Sequence, residues 1–122
     1  MYIEIDFSSD EAIYIQLRNQ IIYGIATSQL KDGESLPSVR ALADDIGINM
    51  HTVNKAYNTL KDDGFVKVDR RKGVVVSVDI DKLRTLKSLK AYLRPLIAAG
   101  IAKGVTKEEA AKLIDDIYEE LG

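Results

Sequence analysis

The chain has no cysteine and a single histidine, His51. The first absence excludes disulfides and thiolate metal sites, and the second leaves no imidazole pair for zinc. No apolar run approaches the roughly 18 residues that a membrane-spanning helix needs. The opening MYIEIDFSSDE carries acids where an export signal carries bases, so a cytoplasmic protein is expected. A basic excess is also missing: 17 Lys and Arg face 19 Asp and Glu, a net charge of −2. Affinity for nucleic acid would therefore have to come from where the charges sit, not from their sum. No Gly-rich phosphate loop, Ser-His-Asp spacing or His-Glu metal pattern occurs, so no enzyme activity and no cofactor are expected. What remains is 122 residues, 46% hydrophobic and 30% charged. That suits one ordinary folded domain, or a small domain with an appendage.

Periodicity organises the rest. Tyr2 to Phe7 alternates apolar and acidic residues, as a strand or extended arm would. Ser8, Ser9, Asp10 and Glu11 offer capping groups to a first helix from about Ala12 to Ser28, striped by Ile13, Leu17, Ile21 and Ile25. Lys31-Asp32-Gly33-Glu34 reads as a turn. A second helix follows Pro37, capped by Ser38, with Val39, Leu42, Ala43 and Ile46 on one face and Gly47 at its left-handed end. Asn49 caps a third, in which Val53, Ala56, Tyr57 and Leu60 repeat that spacing and Gly64 closes it. Phe65–Asp69 and Val74–Val78 are β-branched runs around Arg70-Arg71-Lys72-Gly73, which predicts a hairpin. From Asp81 a long helical pattern sets in, with Pro95 expected to kink or interrupt it. Thr106 and Glu109 form a capping box before a last helix. The expected fold is mainly α with a small β-hairpin. Residues 1–78 form a winged helix-turn-helix, and residues 79–122 form a two-helix tail.

If the third helix packs through Val53, Ala56, Tyr57 and Leu60, it presents Met50, His51, Asn54, Lys55, Asn58 and Lys61 outward. The first turn of such a helix enters a DNA major groove most deeply, so Asn49, Met50, His51, Thr52 and Asn54 are candidates for base edges. Arg40 lies in the first turn of the second helix, where it can reach phosphate. Ser38 and the amides behind it form a phosphate clamp. Arg70, Arg71, Lys72 and Gly73 make the wing turn, which would reach a neighbouring minor groove or phosphates. Each residue also has a plain reading. His51 alone reads as solvated, Ser38 and Asn49 as caps, Arg40 as an i,i+4 partner of Asp44, and the wing bases as a soluble hairpin tip. Asp44-Asp45 and Asp62-Asp63 read as solvated acids. The competing function is a winged helix that binds protein and has no DNA affinity. The arrangement decides for DNA: the polar candidates share one side and the apolar residues fall opposite.

Residues Ala12-Ile13-Tyr14-Ile15-Gln16-Leu17, Leu30 to Ala43, Thr52 to Tyr57 and Leu60 to Val66 together resemble the GntR family of bacterial transcription regulators, in register over about residues 10–78. The short helical tail is similar to that of the YtrA-type subfamily, because larger relatives carry domains that the 44 residues after Val78 cannot hold. The resemblance implies a winged helix that binds palindromic operator DNA as a homodimer, most often as a repressor. In this subfamily the regulated operon commonly encodes an ABC transporter. The tail would be the dimerisation element, through Leu83, Leu86, Leu89, Leu93, Leu96 and Ile97, then Leu113, Ile114, Ile117 and Leu121. A small-molecule effector stays open, since no polar constellation marks its place. Three departures stand out. Ala12 replaces the usual proline, Asn49-Met50-His51 replaces the commoner Ser-Arg-Asn type, and Arg71-Lys72-Gly73 replaces Gly-x-Gly in the wing.

Overall fold

Leu17 and Ile21, one turn apart on the first helix, are fully buried, and so are Val53, Ala56 and Leu60 on the third. A computed structural model describes residues 2–122 and arranges them as α1 (Ile13–Ala26), α2 (Val39–Ile46), α3 (Met50–Asp62), β1 (Val66–Asp69), β2 (Gly73–Val76), α4 (Lys82–Ala102) and α5 (Lys107–Leu121). The chain divides into two compact units, one ending at Asp79 and the other running from Ile80 to Gly122. No helix among the described residues is long and apolar enough to cross a membrane.

In the first unit α3 is the hub: α1, α2 and β1 all pack on it. Leu36, Leu42, Ala43, Val66 and Val76 close the core around the α1–α3 contact. An ion pair between Arg18 and Asp63, 3.1 Å apart, ties α1 to the end of α3. Asp63 is therefore paired across the fold while its carboxylate stays exposed, as its sequence neighbourhood suggests. β1 and β2 pair antiparallel, from Val66 opposite Val76 to Asp69 opposite Gly73. The segment read as a plain turn before α2 adds a third lane to this sheet. Gly33 N–H donates to Val76 at 2.8 Å, Val76 N–H to Glu34 at 2.9 Å, and Leu36 N–H to Val74 at 2.8 Å.

The N-terminal arm is extended but joins no sheet. Two glutamines of α1, one turn apart, take the place of a neighbouring strand. Asp6 N–H donates to Gln16 Oε1 at 2.9 Å, and Gln16 Nε2 donates back to the Asp6 carbonyl at 3.0 Å. Gln20 clasps the backbone of Glu4 in the same two-way fashion. Gln16 is buried, and its second amide proton goes to the Glu11 carbonyl at 3.0 Å. The capping expected from Ser8 to Glu11 does not occur, because α1 begins after Ala12 with no side-chain cap. Those residues shape the approach instead, Asp6 accepting from Ser8 and Ser9 Oγ from Glu11 N–H.

The second unit consists of α4 and α5. Of the two outcomes expected at Pro95, a kink or an interruption, the interruption does not occur: the residue lies inside a continuous α4. Proline withholds its N–H and its ring crowds the carbonyl four residues back, but the bonds of a 21-residue helix on either side carry the turn past it. Gly104, at φ +90°, ends the helix. The capping box is formed: Thr106 N–H donates to Glu109 Oε1 at 2.9 Å, and Glu109 N–H to Thr106 Oγ1 at 3.2 Å. No residue of either helix is buried.

Leu60→Ala removes a fully buried side chain from the helix on which α1, α2 and β1 converge. It is expected to lower the stability of the first unit by roughly 2–5 kcal/mol, read as a shift of the urea midpoint. A change within about 0.5 kcal/mol, the range of surface substitutions, would contradict this core assignment.

Candidate nucleic-acid interface

Local hydrogen bonds fix the helix-turn-helix. Ser38 Oγ accepts from Ala41 N–H at 3.1 Å and opens α2. Gly47, at φ +70°, ends that helix in the left-handed conformation. Asn49 Oδ1 accepts from His51 N–H at 2.7 Å and opens α3. The buried hydroxyl of Tyr57 donates to the Pro37 carbonyl at 2.8 Å, so the inner face of α3 also holds the residue before the α2 cap. Burial pushes this phenol well above its ordinary range, which keeps it a proton donor.

The sequence-predicted residues then fall as follows. Ser38, Arg40, Asn49, Met50, His51, Asn54 and Lys55 are exposed, and Thr52 is half-buried. No ion pair joins Arg40 to Asp44 among the described residues, so the plain reading of Arg40 loses its partner. Lys55 is held sideways: its Nζ lies 4.1 Å from the centre of the Tyr14 ring, a cation–π contact. Ile13, Tyr14, His51, Thr52 and Lys55 line a shallow depression where the start of α1 meets α3. Tyr14 was not among the expected site residues. It sits beside the apolar stripe of its own helix, and only the α1–α3 packing brings it to Lys55.

The wing turn is one residue shorter than the sequence suggests. Gly73, at φ +77°, is the first residue of β2 and pairs with Asp69, so the turn itself is Arg70 to Lys72. Asp69 shapes it: its Oδ1 accepts from Arg71 N–H at 2.8 Å and from Lys72 N–H at 3.0 Å. An Asp just before a turn is the signal that sequence reading passed over. Arg70, Arg71 and Lys72 point their charges into solvent. No group of three or more His, Cys, Asp or Glu is placed to hold a metal ion among the described residues.

In the second unit the proposed dimerisation residues are uncovered. Leu83, Leu86, Leu89, Leu96, Ile97, Leu113, Ile114 and Ile117 are exposed, while Leu93 and Leu121 are partly so. Leu86, Leu89, Leu93 and Ile97 share one apolar groove, whereas Leu83 and Leu96 lie outside its lining. Ile101, which the sequence reading omitted, extends the groove by a turn.

The backbone bonds from Lys72 and Arg71 favour ionised Asp69 and hold its carboxyl below the ordinary 3.8. A depressed acid constrains its turn above the ordinary value and releases it as pH falls through the lower folded value. The amide NMR shifts of Arg71 and Lys72 should therefore titrate together with a midpoint under 3.8, and the step should vanish in Asp69→Ala. A midpoint at or above 3.8 would refute the assignment.

Residues 10–76 match the model of the bacterial regulatory proteins of the gntR family. The chain is 32% identical to the HTH-type transcriptional repressor YtrA of Bacillus subtilis, over 94% of this chain and 91% of that protein. Among solved structures, YtrA of Sulfolobus acidocaldarius, a GntR-family transcription factor, is 42% identical with a TM-score of 0.69, over 82% of this chain and 97% of that one. A transcriptional antiterminator of Listeria monocytogenes superposes with a TM-score of 0.88 at 29% identity, over 99% of this chain and 92% of that one. With a winged helix-turn-helix in its first unit and a two-helix tail, the chain belongs to the GntR family, as a transcriptional regulator of the YtrA type with a DNA-binding domain.

Proposed function

We propose that this regulator is a repressor that binds a palindromic operator as a homodimer. The observation that carries the reading is the two-sidedness of α3. Its inner face is buried, while its first turn, the start of α2 and the wing turn expose Asn, His, Ser, Arg and Lys. In this reading Asn49, Met50, His51, Thr52 and Asn54 meet base edges. Asparagine can bond an adenine edge in two places, and Met or Thr can touch a thymine methyl. Ser38, Arg40, Lys55, Arg70, Arg71, Lys72 and Gly73 hold the sugar-phosphate backbone or lean into the grooves. The apolar faces of α4 and α5 join two copies, which sets two recognition helices about 34 Å apart to read a repeat with two-fold symmetry. The regulated operon would encode an ABC transporter, as is common for the subfamily. A repressor function is supported by likeness to the Bacillus protein, itself named a repressor.

Selection from random DNA would supply the operator, and gel shifts would test the surface. Arg40→Ala is expected to weaken binding by about 1–3 kcal/mol, roughly ten- to a hundredfold, with the helical content unchanged. Arg71→Ala should weaken binding to all sequences alike and reduce the salt dependence by about one ion. If neither substitution changes affinity, the proposed surface is wrong.

A further inference from the structure

The two tail helices divide charge by sign. α4 carries Lys82, Arg84, Lys87, Lys90 and Arg94 and no acid. α5 carries six acids, in the pairs Glu108-Glu109, Asp115-Asp116 and Glu119-Glu120, against only Lys107 and Lys112. The division follows the apolar stripes. On α4, Lys87, Lys90 and Arg94 recur at i, i+3 and i+7, along one edge of the Leu86–Leu93–Ile97 stripe. Lys90 and Arg94 line the apolar groove itself. On α5, Glu109, Asp116 and Glu120 run along one edge of the Leu113–Ile117–Leu121 stripe. Glu109 is engaged in the Thr106 capping box, and Asp116 reaches Lys112 at 3.1 Å within its own helix.

Within one chain these complementary faces do not meet. α4 and α5 are not among the helix pairs that pack on one another. Leu86 remains 55% exposed and Leu113 61% exposed. Within the second unit neither stripe is covered by the other helix, and both call for a cover. Resting on the homodimer reading above, we infer that the cover is crossed: α4 of each copy receives α5 of the other. Pairing α4 with its own equivalent would set Lys90 and Arg94 against the same cations, and pairing α5 with its equivalent would set acids against acids. The crossed arrangement buries the same apolar faces and places each basic edge against an acidic one, twice per dimer by symmetry.

Three full-length chains test this in sedimentation experiments at low salt, with circular dichroism to follow helical content. The first carries Lys90→Glu and Arg94→Glu, the second Asp116→Lys and Glu120→Lys, and the third all four. Each pair of reversals turns attraction into repulsion at both symmetry-related contacts. The dissociation constant of the dimer should rise at least about tenfold in either, and less at high salt. The four-substitution chain restores opposite charges across the crossed contact and should return to within about threefold of the parent. Self-association unchanged in both paired variants, or no recovery in the third, overturns the crossed arrangement. Leu93→Asp separates this from the underlying reading. If it leaves a dimer, tail-mediated dimerisation itself fails, and the crossed pairing with it. If it gives monomers while the charge variants associate like the parent, only the crossed pairing fails.

Discussion

The constraint on which the first unit depends is the burial of one face of α3. Val53, Ala56, Tyr57 and Leu60 recur with helical spacing and are all buried. A helix locked on one side has no choice about what its other side presents, so that packing alone turns Asn49, Met50, His51 and Asn54 outward. The same face governs its surroundings. Tyr57 reaches past the core to the Pro37 carbonyl and so positions the entry to α2. Arg18 grips Asp63 at the far end. The backbone that carries the exposed residues is therefore set by the core beneath it, which suits reading of fixed base edges.

Features that depend on residues three or four apart were legible in the sequence. The Ser38 and Asn49 caps, the left-handed Gly47 and the Thr106–Glu109 box need only a short stretch of backbone and one polar side chain. Features that depend on distant segments were not. Gln16 and Gln20 look like polar surface positions on a helical wheel, yet they hold the backbone of Asp6 and Glu4. Nothing within ten residues of Lys55 announces that Tyr14 lies beneath its ammonium group. Pro95 left two outcomes open, a kink or an interruption, and its local penalty does not interrupt a helix with many remaining bonds. The short third lane beside β2 is backbone pairing with almost no side-chain signature, so composition could not reveal it.

The acidic balance of the chain looks at first like an argument against DNA. It is less so once charge is assigned to elements. Residues 1–78 hold 11 acids and 9 bases, and three of those bases are consecutive at the exposed wing. One wing-flanking acid, Asp69, spends its oxygen on the Arg71 and Lys72 amides, and Asp63 is neutralised by Arg18. A further six acids belong to α5. What a nearby phosphate feels is the local arrangement, because charges beyond about 10 Å are largely screened at ordinary salt. The net charge of −2 thus bears on solubility more than on recognition.

The tail poses the opposite problem from the winged helix, since it has apolar faces and no interior. Helices of 21 and 15 residues with no buried side chain gain little from hydrophobic burial. Their capping bonds define where each begins without supplying a core. In the proposed dimer the missing burial comes from a second copy, so tail order and association become one equilibrium, governed by protein concentration. That equilibrium extends to the DNA. A single winged helix this sparingly charged reaches few phosphates, whereas two joined copies present the second half-site reader at high effective concentration. Whatever strengthens the tail contact then strengthens operator occupancy by linkage, without touching any residue that faces a base.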